Sequence, residues 1–233
     1  MNIILLIVFI TIIFYIKCNY FKYKRVYDYK VPLVQENENY IDKDTCKKIS
    51  DVLLNHPKMT MGGFCIRFSD THETKKLFSD NGLNDVYNIF KDVKVSGTNS
   101  YICNVLILPV SSGITIGEHY DGTLDEKDWM NRQIMPVCTT VVYLNLPGNF
   151  TGGQLFLKKF NSSSVYKTIE PSIGKRVQFR GDMAHGVHEI NSIEKVDRLS
   201  VVFEQYSVSK EIPFKIEPIF TEVERVGNEI HLS

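Results

Sequence analysis

Tyr101-Ile102-Cys103-Asn104-Val105-Leu106-Ile107-Leu108-Pro109-Val110 is apolar on both of its faces. A run of that length closed by proline reads as a strand buried on both sides. Downstream, Gly113 to Asp121, Val137 to Asn145, Gln154 to Phe160, Lys175 to Phe179, His185 to Ile190 and Arg198 to Tyr206 read as further strands. Each is bounded by Gly, Pro, Asn or Ser-rich stretches. Upstream the period changes. Asp42 or Asp44 suits the N-cap of a helix reaching about Asn55, with Cys46, Ile49, Val52 and Leu53 on one face. A second helical region covers about Thr71 to Val93, punctuated by Asn81-Gly82 and striped by Leu83, Val86, Tyr87 and Phe90. Helices followed by many short antiparallel strands predict a mainly β molecule, a double-sheet barrel with flanking helices.

The bulk numbers agree with a folded chain. Of 233 residues, 43% are hydrophobic and 23% charged, which excludes disorder and suits one generous domain or two small ones. Lys+Arg and Asp+Glu are both 27, so charge gives no reason to expect nucleic acid as the main partner. The five cysteines, Cys18, Cys46, Cys65, Cys103 and Cys138, are scattered and form no CxxC. They read as buried small hydrophobes, not as a disulfide framework or a thiolate metal site.

Ile3 to Ile16 carries no charge and as a helix would span about 21 Å. That is short of a hydrocarbon core of about 30 Å, but Asn2 and the flank Lys17 to Phe21 bring it close. Residues 1–21 are therefore expected to be a retained transmembrane anchor and 22–40 a juxtamembrane linker. A signal peptide needs a basic start and a small-residue cleavage site, and neither is present. A buried core helix is the plainer alternative. Lys17, Lys22, Lys24, Arg25 and Lys30 all follow the apolar run, so the positive-inside rule puts the rest of the chain in the cytoplasm. Two glycosylation sequons, Asn149-Phe150-Thr151 and Asn161-Ser162-Ser163, would argue for a lumenal, ER-like side, but about two such matches arise by chance.

Chemistry enters with Gly117-Glu118-His119-Tyr120-Asp121, His185-Gly186-Val187 and Asp197-Arg198-Leu199-Ser200. In a strand, residues i and i+2 share a face, so His119 and Asp121 can reach one ion. The same parity pairs Arg198 with Ser200 and Val141 with Tyr143. Two imidazoles and one carboxylate can occupy one face of a six-coordinate iron and leave three positions open, whereas a structural zinc site closes all four. His188 is the nearest rival to His185, and in an extended strand the two point to opposite faces. His56, His72 and His231 have no partners in sequence and read as structural or exposed. Trp129, in the polar stretch Asp125 to Arg132, reads equally as part of a closing loop or of an ordinary connection.

Val142-Tyr143-Leu144-Asn145, Gly152-Gly153-Gln154-Leu155, Pro171-Ser172-Ile173-Gly174, Val177-Gln178-Phe179, His185-Gly186-Val187 and Arg198-Leu199-Ser200 follow His119-x-Asp121 in order. With them, the stretch from Tyr101 to Tyr206 resembles the prolyl 4-hydroxylase branch of the iron(II)/2-oxoglutarate dioxygenases. The resemblance implies a double-stranded β-helix (jelly-roll, cupin-like) core over about 94–210, a helical layer over about 41–93, and a dioxygenase domain spanning 41–233. It implies that His119, Asp121 and His185 ligate Fe(2+), and that Arg198 pairs with the distal carboxylate of 2-oxoglutarate. A guanidinium suits that carboxylate because it donates two parallel hydrogen bonds. Ser200 and Tyr143 would add hydroxyl contacts, Val141 and Val187 apolar wall, and Gly152 and Gly153 a tight turn without a chemical role.

Three departures stand out. The family's Tyr before the His-x-Asp histidine gives way to Leu108-Pro109-Val110, so a cosubstrate contact is missing there or another side chain such as Tyr101 or Asn104 replaces it. The family aromatic after the Arg, often Trp, gives way to Phe203-Glu204. The His-to-Arg separation is longer, through Asn191 to Lys195. The activity implied is a procollagen-proline 4-dioxygenase-like hydroxylation of a proline-containing protein or peptide, using O2, coupled to conversion of 2-oxoglutarate to succinate, with L-ascorbate as a candidate reductant. Hydroxylation of lysyl residues or of a small molecule, and a non-catalytic membrane-tethered interaction protein on the same scaffold, are the alternatives.

Overall fold

The computed structural model describes residues 31–124 and 133–208, together with the strands at 23–24, 219–226 and 229–232. Eight strands make the core: β1 (Ser100–Leu108), β2 (Ile116–His119), β3 (Cys138–Asn145), β4 (Leu155–Lys158), β5 (Val165–Ile169), β6 (Arg176–Arg180), β7 (Ala184–Val187) and β8 (Arg198–Tyr206). β1, β8, β3 and β6 lie side by side in a large sheet, and β5, β4, β7 and β2 form a smaller one. Every pairing among the eight is antiparallel, and the chain passes repeatedly from one sheet to the other. This is the double-stranded β-helix.

The large sheet extends beyond the core. Gly63–Phe68 pairs with β1, Ile219–Val226 with Gly63–Phe68, and Val34–Asn37 with β6 at the far edge. Residues 34–37 thus belong to the sheet, where the sequence suggested a linker, and 63–68 is a strand within the stretch expected to be helical. The register of β6 explains the first, since Val177 and Gln178 pair with Glu36 and Gln35 and complete the ladder.

Three helices cover the outer face of this sheet: α1 (Lys43–Leu54), α2 (His72–Asp80) and α3 (Asn84–Val93). Asp42 caps α1 by accepting from the Thr45 N–H at 2.9 Å, and Thr71 caps α2 through the Thr74 N–H. Cys46, Ile49 and Leu53 of α1 and Val86, Ile89, Phe90 and Val93 of α3 pack on the odd-numbered residues of β1 and β8. Phe90 alone stacks near Phe68, Tyr101 and Phe203, so its truncation to alanine would cost about 3–5 kcal/mol. Even-numbered residues of β1 and β8 therefore point the other way. They face the gap between the two sheets, and the gap is where the site lies.

Among the described residues no helix is long and apolar enough to cross a membrane. The longest, α1, has 12 residues and spans about 18 Å against a hydrocarbon core of about 30 Å. This corrects the expected single-pass membrane localisation and the cytoplasmic placement built on it. The stretch that prompted that expectation, 1–21, lies outside the described residues, as does Trp129.

Candidate metal centre

β2 and β7 are neighbours in the small sheet, and their register sets His185 directly opposite His119. The two rings stand 4.4 Å apart between centroids. Asp121 follows β2 and turns back, so that its Oδ1 lies 3.6 Å from His119 Nε2 and 3.4 Å from His185 Nε2. One donor atom from each of the three falls within 4.8 Å of the others, a grouping able to hold a metal ion.

The surroundings fix which atoms are available. His119 Nδ1 lies 2.8 Å from the Gly117 carbonyl, and His185 Nδ1 lies 3.2 Å from the Met183 carbonyl. A carbonyl only accepts, so both Nδ1 atoms carry a proton, and Nε2 is the atom that each ring turns to the common centre. Asp121 Oδ2 accepts from Thr139 Oγ1 at 2.6 Å, which leaves Oδ1 for the same centre. Burial disfavours the charged form of Asp121, yet the neighbouring His185 and His119 outweigh it and hold the carboxyl below the usual range. For His119, burial opposes protonation, but the hydrogen bond and charge of Asp121 raise its pKa above the ordinary imidazole value.

A cavity of about 430 Å³ adjoins the triad. Its walls include Val141, Leu155 and Val187 from three strands, and Arg198, Ser200, Val202 and Glu204 from one face of β8. Arg198 is 4% exposed, its Nη1 donates to the Gly153 carbonyl at 2.8 Å, and its guanidinium lies 4.8 Å over the Tyr143 ring. Burial pushes its pKa down, and no carboxylate pairs with it among the described residues. The Gly152-Gly153 turn therefore does more than reverse the chain, because its carbonyl aims the guanidinium. Both glycines have positive φ, and a Cβ on Gly152 would lie 1.9 Å from the Glu189 carbonyl oxygen.

Most of the residues expected from sequence meet here. Tyr143 differs in part: it lies beneath Arg198 with its hydroxyl buried and without a hydrogen-bond partner among the described residues. Of the two candidates for the missing tyrosine, Tyr101 bonds to Thr98 on the far side of the sheet, while Asn104 lines the cavity. His188 is exposed against Phe156, and His56 is a buried ring clustered with Phe64 and Phe220. Several residues escaped the sequence reading as site members, and two of them are polar and buried. Thr139 buttresses Asp121, and Glu204, 1% exposed, lines the cavity and is pushed up to about 7 by burial and by the charge of Asp121. Strand parity could have found both, since Thr139 is two residues before Val141 and Glu204 six after Arg198.

No protein-family model matches the chain, and no curated protein matches it. Solved structures do. A prolyl-4-hydroxylase from Pseudomonas putida is 18% identical, with a TM-score of 0.45, over 76% of this chain and 94% of that one. A 2OG-Fe(II) oxygenase family protein from Burkholderia pseudomallei is 13% identical at 0.47, over 76% and 85%. The viral collagen prolyl hydroxylase of Paramecium bursaria Chlorella virus-1, as its 2OG complex, is 12% identical at 0.47, over 76% and 97%. Identities and scores this low leave function to be argued from the residues themselves.

Proposed function

We propose that this chain is an iron(II)- and 2-oxoglutarate-dependent dioxygenase that hydroxylates a protein or peptide side chain. The observation that carries the reading is a two-histidine, one-carboxylate triad beside a buried guanidinium that has no carboxylate partner among the described residues. The donor set fits iron. Asp121 Oδ1 lies 3.6 and 3.4 Å from the two Nε2 atoms, and all three donors fall within 4.8 Å of one another, close enough to share one ion. Three donors on one side, with a cavity on the other, leave positions open as an oxygenase requires.

His119, Asp121 and His185 would hold the metal. Bound there, ferrous iron with 2-oxoglutarate and O2 supplies decarboxylation of the cosubstrate to succinate and insertion of one oxygen into a C–H bond. The chain's own residues orient and shield. Arg198 would take the distal carboxylate of 2-oxoglutarate, relieving the cost of several kcal/mol that an unpaired buried charge carries. Ser200 and the unpartnered Tyr143 hydroxyl would add hydrogen bonds to that carboxylate. Val141, Leu155 and Val187 exclude water from the region between.

The sequence resemblance points to a prolyl side chain as one substrate class, with L-ascorbate as reductant. A lysyl side chain is a second reading, favoured by the buried carboxylate of Glu204 in the cavity wall. Iron-dependent release of succinate from 2-oxoglutarate tests the activity. The wild type is expected to turn over, and His119→Ala and Arg198→Ala to lose about 100-fold or more, the arginine variant chiefly through a raised KM for 2-oxoglutarate. Undiminished turnover in either variant would remove that residue from the site.

A further inference from the structure

We propose that the end of the cavity remote from Arg198 is a cation-recognition subsite, in which the Glu204 carboxylate and Asn104 Oδ1 hold an ammonium or guanidinium group of the substrate. The proposal deepens the oxygenase reading and rests on it for the reaction, but not for the binding.

Arg198, Ser200, Val202 and Glu204 share one face of β8, so the cavity wall carries a buried cation at one end and a buried anion at the other. Six residues of strand separate them by roughly 20 Å. Glu204 accepts from Asn104 Nδ2 at 2.8 Å, from Thr123 Oγ1 at 2.6 Å and from Tyr206 Oη. All three donors are neutral, and no Lys, Arg or His forms an ion pair with Glu204 among the described residues. Burial without a counter-charge favours the neutral acid of Glu204, and a bound cation would favour its carboxylate instead.

Asn104 supplies the second, independent observation. The amide nitrogen of Asn104 is the atom that faces Glu204, donating to it at 2.8 Å. Its Oδ1 is then an acceptor, and this atom is buried in a residue 3% exposed, with no hydrogen-bond partner among the described residues. Asn104 and Glu204, on adjacent strands, both line the cavity, and a group that brings positive charge and several N–H donors together would complement them. An ammonium has three and a guanidinium five. A prolyl ring offers neither. Leu106 and Val202, beside these two residues on the same wall, suit the aliphatic stem that carries such a head group. Glu204 also pairs in register with Thr139, the residue that holds Asp121, so the subsite lies one strand from the triad. The occupant that fits is a basic amino-acid side chain, in a peptide or as the free amino acid.

The test uses the full chain with Fe(II), 2-oxoglutarate and matched peptides bearing Lys, Arg, Pro or norleucine at one position, beside free lysine. Mass spectrometry reads the gain of one oxygen. A basic residue is expected to exceed norleucine and proline by at least about tenfold, and Glu204→Gln to erase that preference. Comparison of the peptides with the free amino acid decides between the two sources. In parallel, saturation-transfer NMR on the metal-free chain compares Nα-acetyl-lysinamide with Nα-acetyl-norleucinamide, and only the former is expected to show contact. Equal binding and equal oxidation of the neutral ligands by the wild type would overturn the subsite, whatever the folding of the variant. Cation-selective binding without any iron-dependent succinate would instead uphold the subsite and refute the oxygenase reading.

Discussion

At the scale of single residues, the site depends on side chains that do not touch the metal position. Thr139 occupies Asp121 Oδ2 and so frees one oxygen, while the Gly117 and Met183 carbonyls set the proton on each imidazole. Partners of this kind are worth about 10–100-fold in metal affinity. Thr139→Val keeps the shape of the side chain and removes the donor, so Mn(II) or Fe(II) affinity by calorimetry is expected to fall by about tenfold or more. An unaltered affinity would reduce Thr139 to packing. His119 and Asp121 were legible in the sequence because the i, i+2 rule is local. Glu204 was visible only as a missing aromatic, because nothing in one strand tells that Asn104, Thr123 and Tyr206 converge on it.

Among elements, the helices were the most readable. Asp42, Thr71 and the break at Asn81-Gly82 fall where the caps and the turn between α2 and α3 occur, since a cap is decided within four residues. The strands expected at Val137 to Asn145 and Arg198 to Tyr206 match β3 and β8 to within a residue. Val34–Asn37 and Val165–Ile169 were not foreseen. Both are polar strands, Val-Gln-Glu-Asn and Val-Tyr-Lys-Thr-Ile, whose identity comes from the strand alongside and not from their own apolar pattern. The turn before β6 ties α1 to the sheet: Gly174 has φ +82°, its N–H bonds to the Tyr143 carbonyl, and its carbonyl accepts from Ile41 N–H at 3.1 Å. A Cβ there would lie 2.0 Å from the Ile41 carbonyl oxygen. Gly174→Ala is therefore expected to destabilise by about 3 kcal/mol or more in urea denaturation, through strain and collision together. A loss under about 1 kcal/mol would mean that the turn can relax.

For the molecule as a whole, charged side chains fasten the outer pieces to the core. Asp70 receives Lys94 Nζ at 2.6 Å, Lys91 Nζ at 3.0 Å and Tyr87 Oη at 3.1 Å, joining α3 to the segment before α2. Lys175 binds Glu36 at 2.7 Å and Glu38 at 2.8 Å, clamping the edge strand Val34–Asn37. Burial favours the neutral acids of Asp70 and Glu36, but their lysines outweigh it and lower both pKa values. A lowered carboxyl pKa contributes stability that is present above the unfolded value, near 4, and is lost as pH falls through the folded value. The thermal midpoint is expected to decline below about pH 4–5, and Asp70→Asn to flatten part of that decline. An identical acid limb in the variant would show that Asp70 contributes nothing to it.

The sequence by itself determined what lies within a few residues along the chain: the caps, the alternation that puts His119 with Asp121 and Arg198 with Ser200, and the change from helical to strand periodicity. Those are consequences of backbone geometry, and neighbours in sequence suffice to specify them. The tertiary structure alone decided that His185 faces His119 across two paired strands, that Gly153 aims Arg198, and that Glu204 lies buried among neutral donors. Each of these is a matter of strand register and sheet packing between distant segments, which no local pattern encodes.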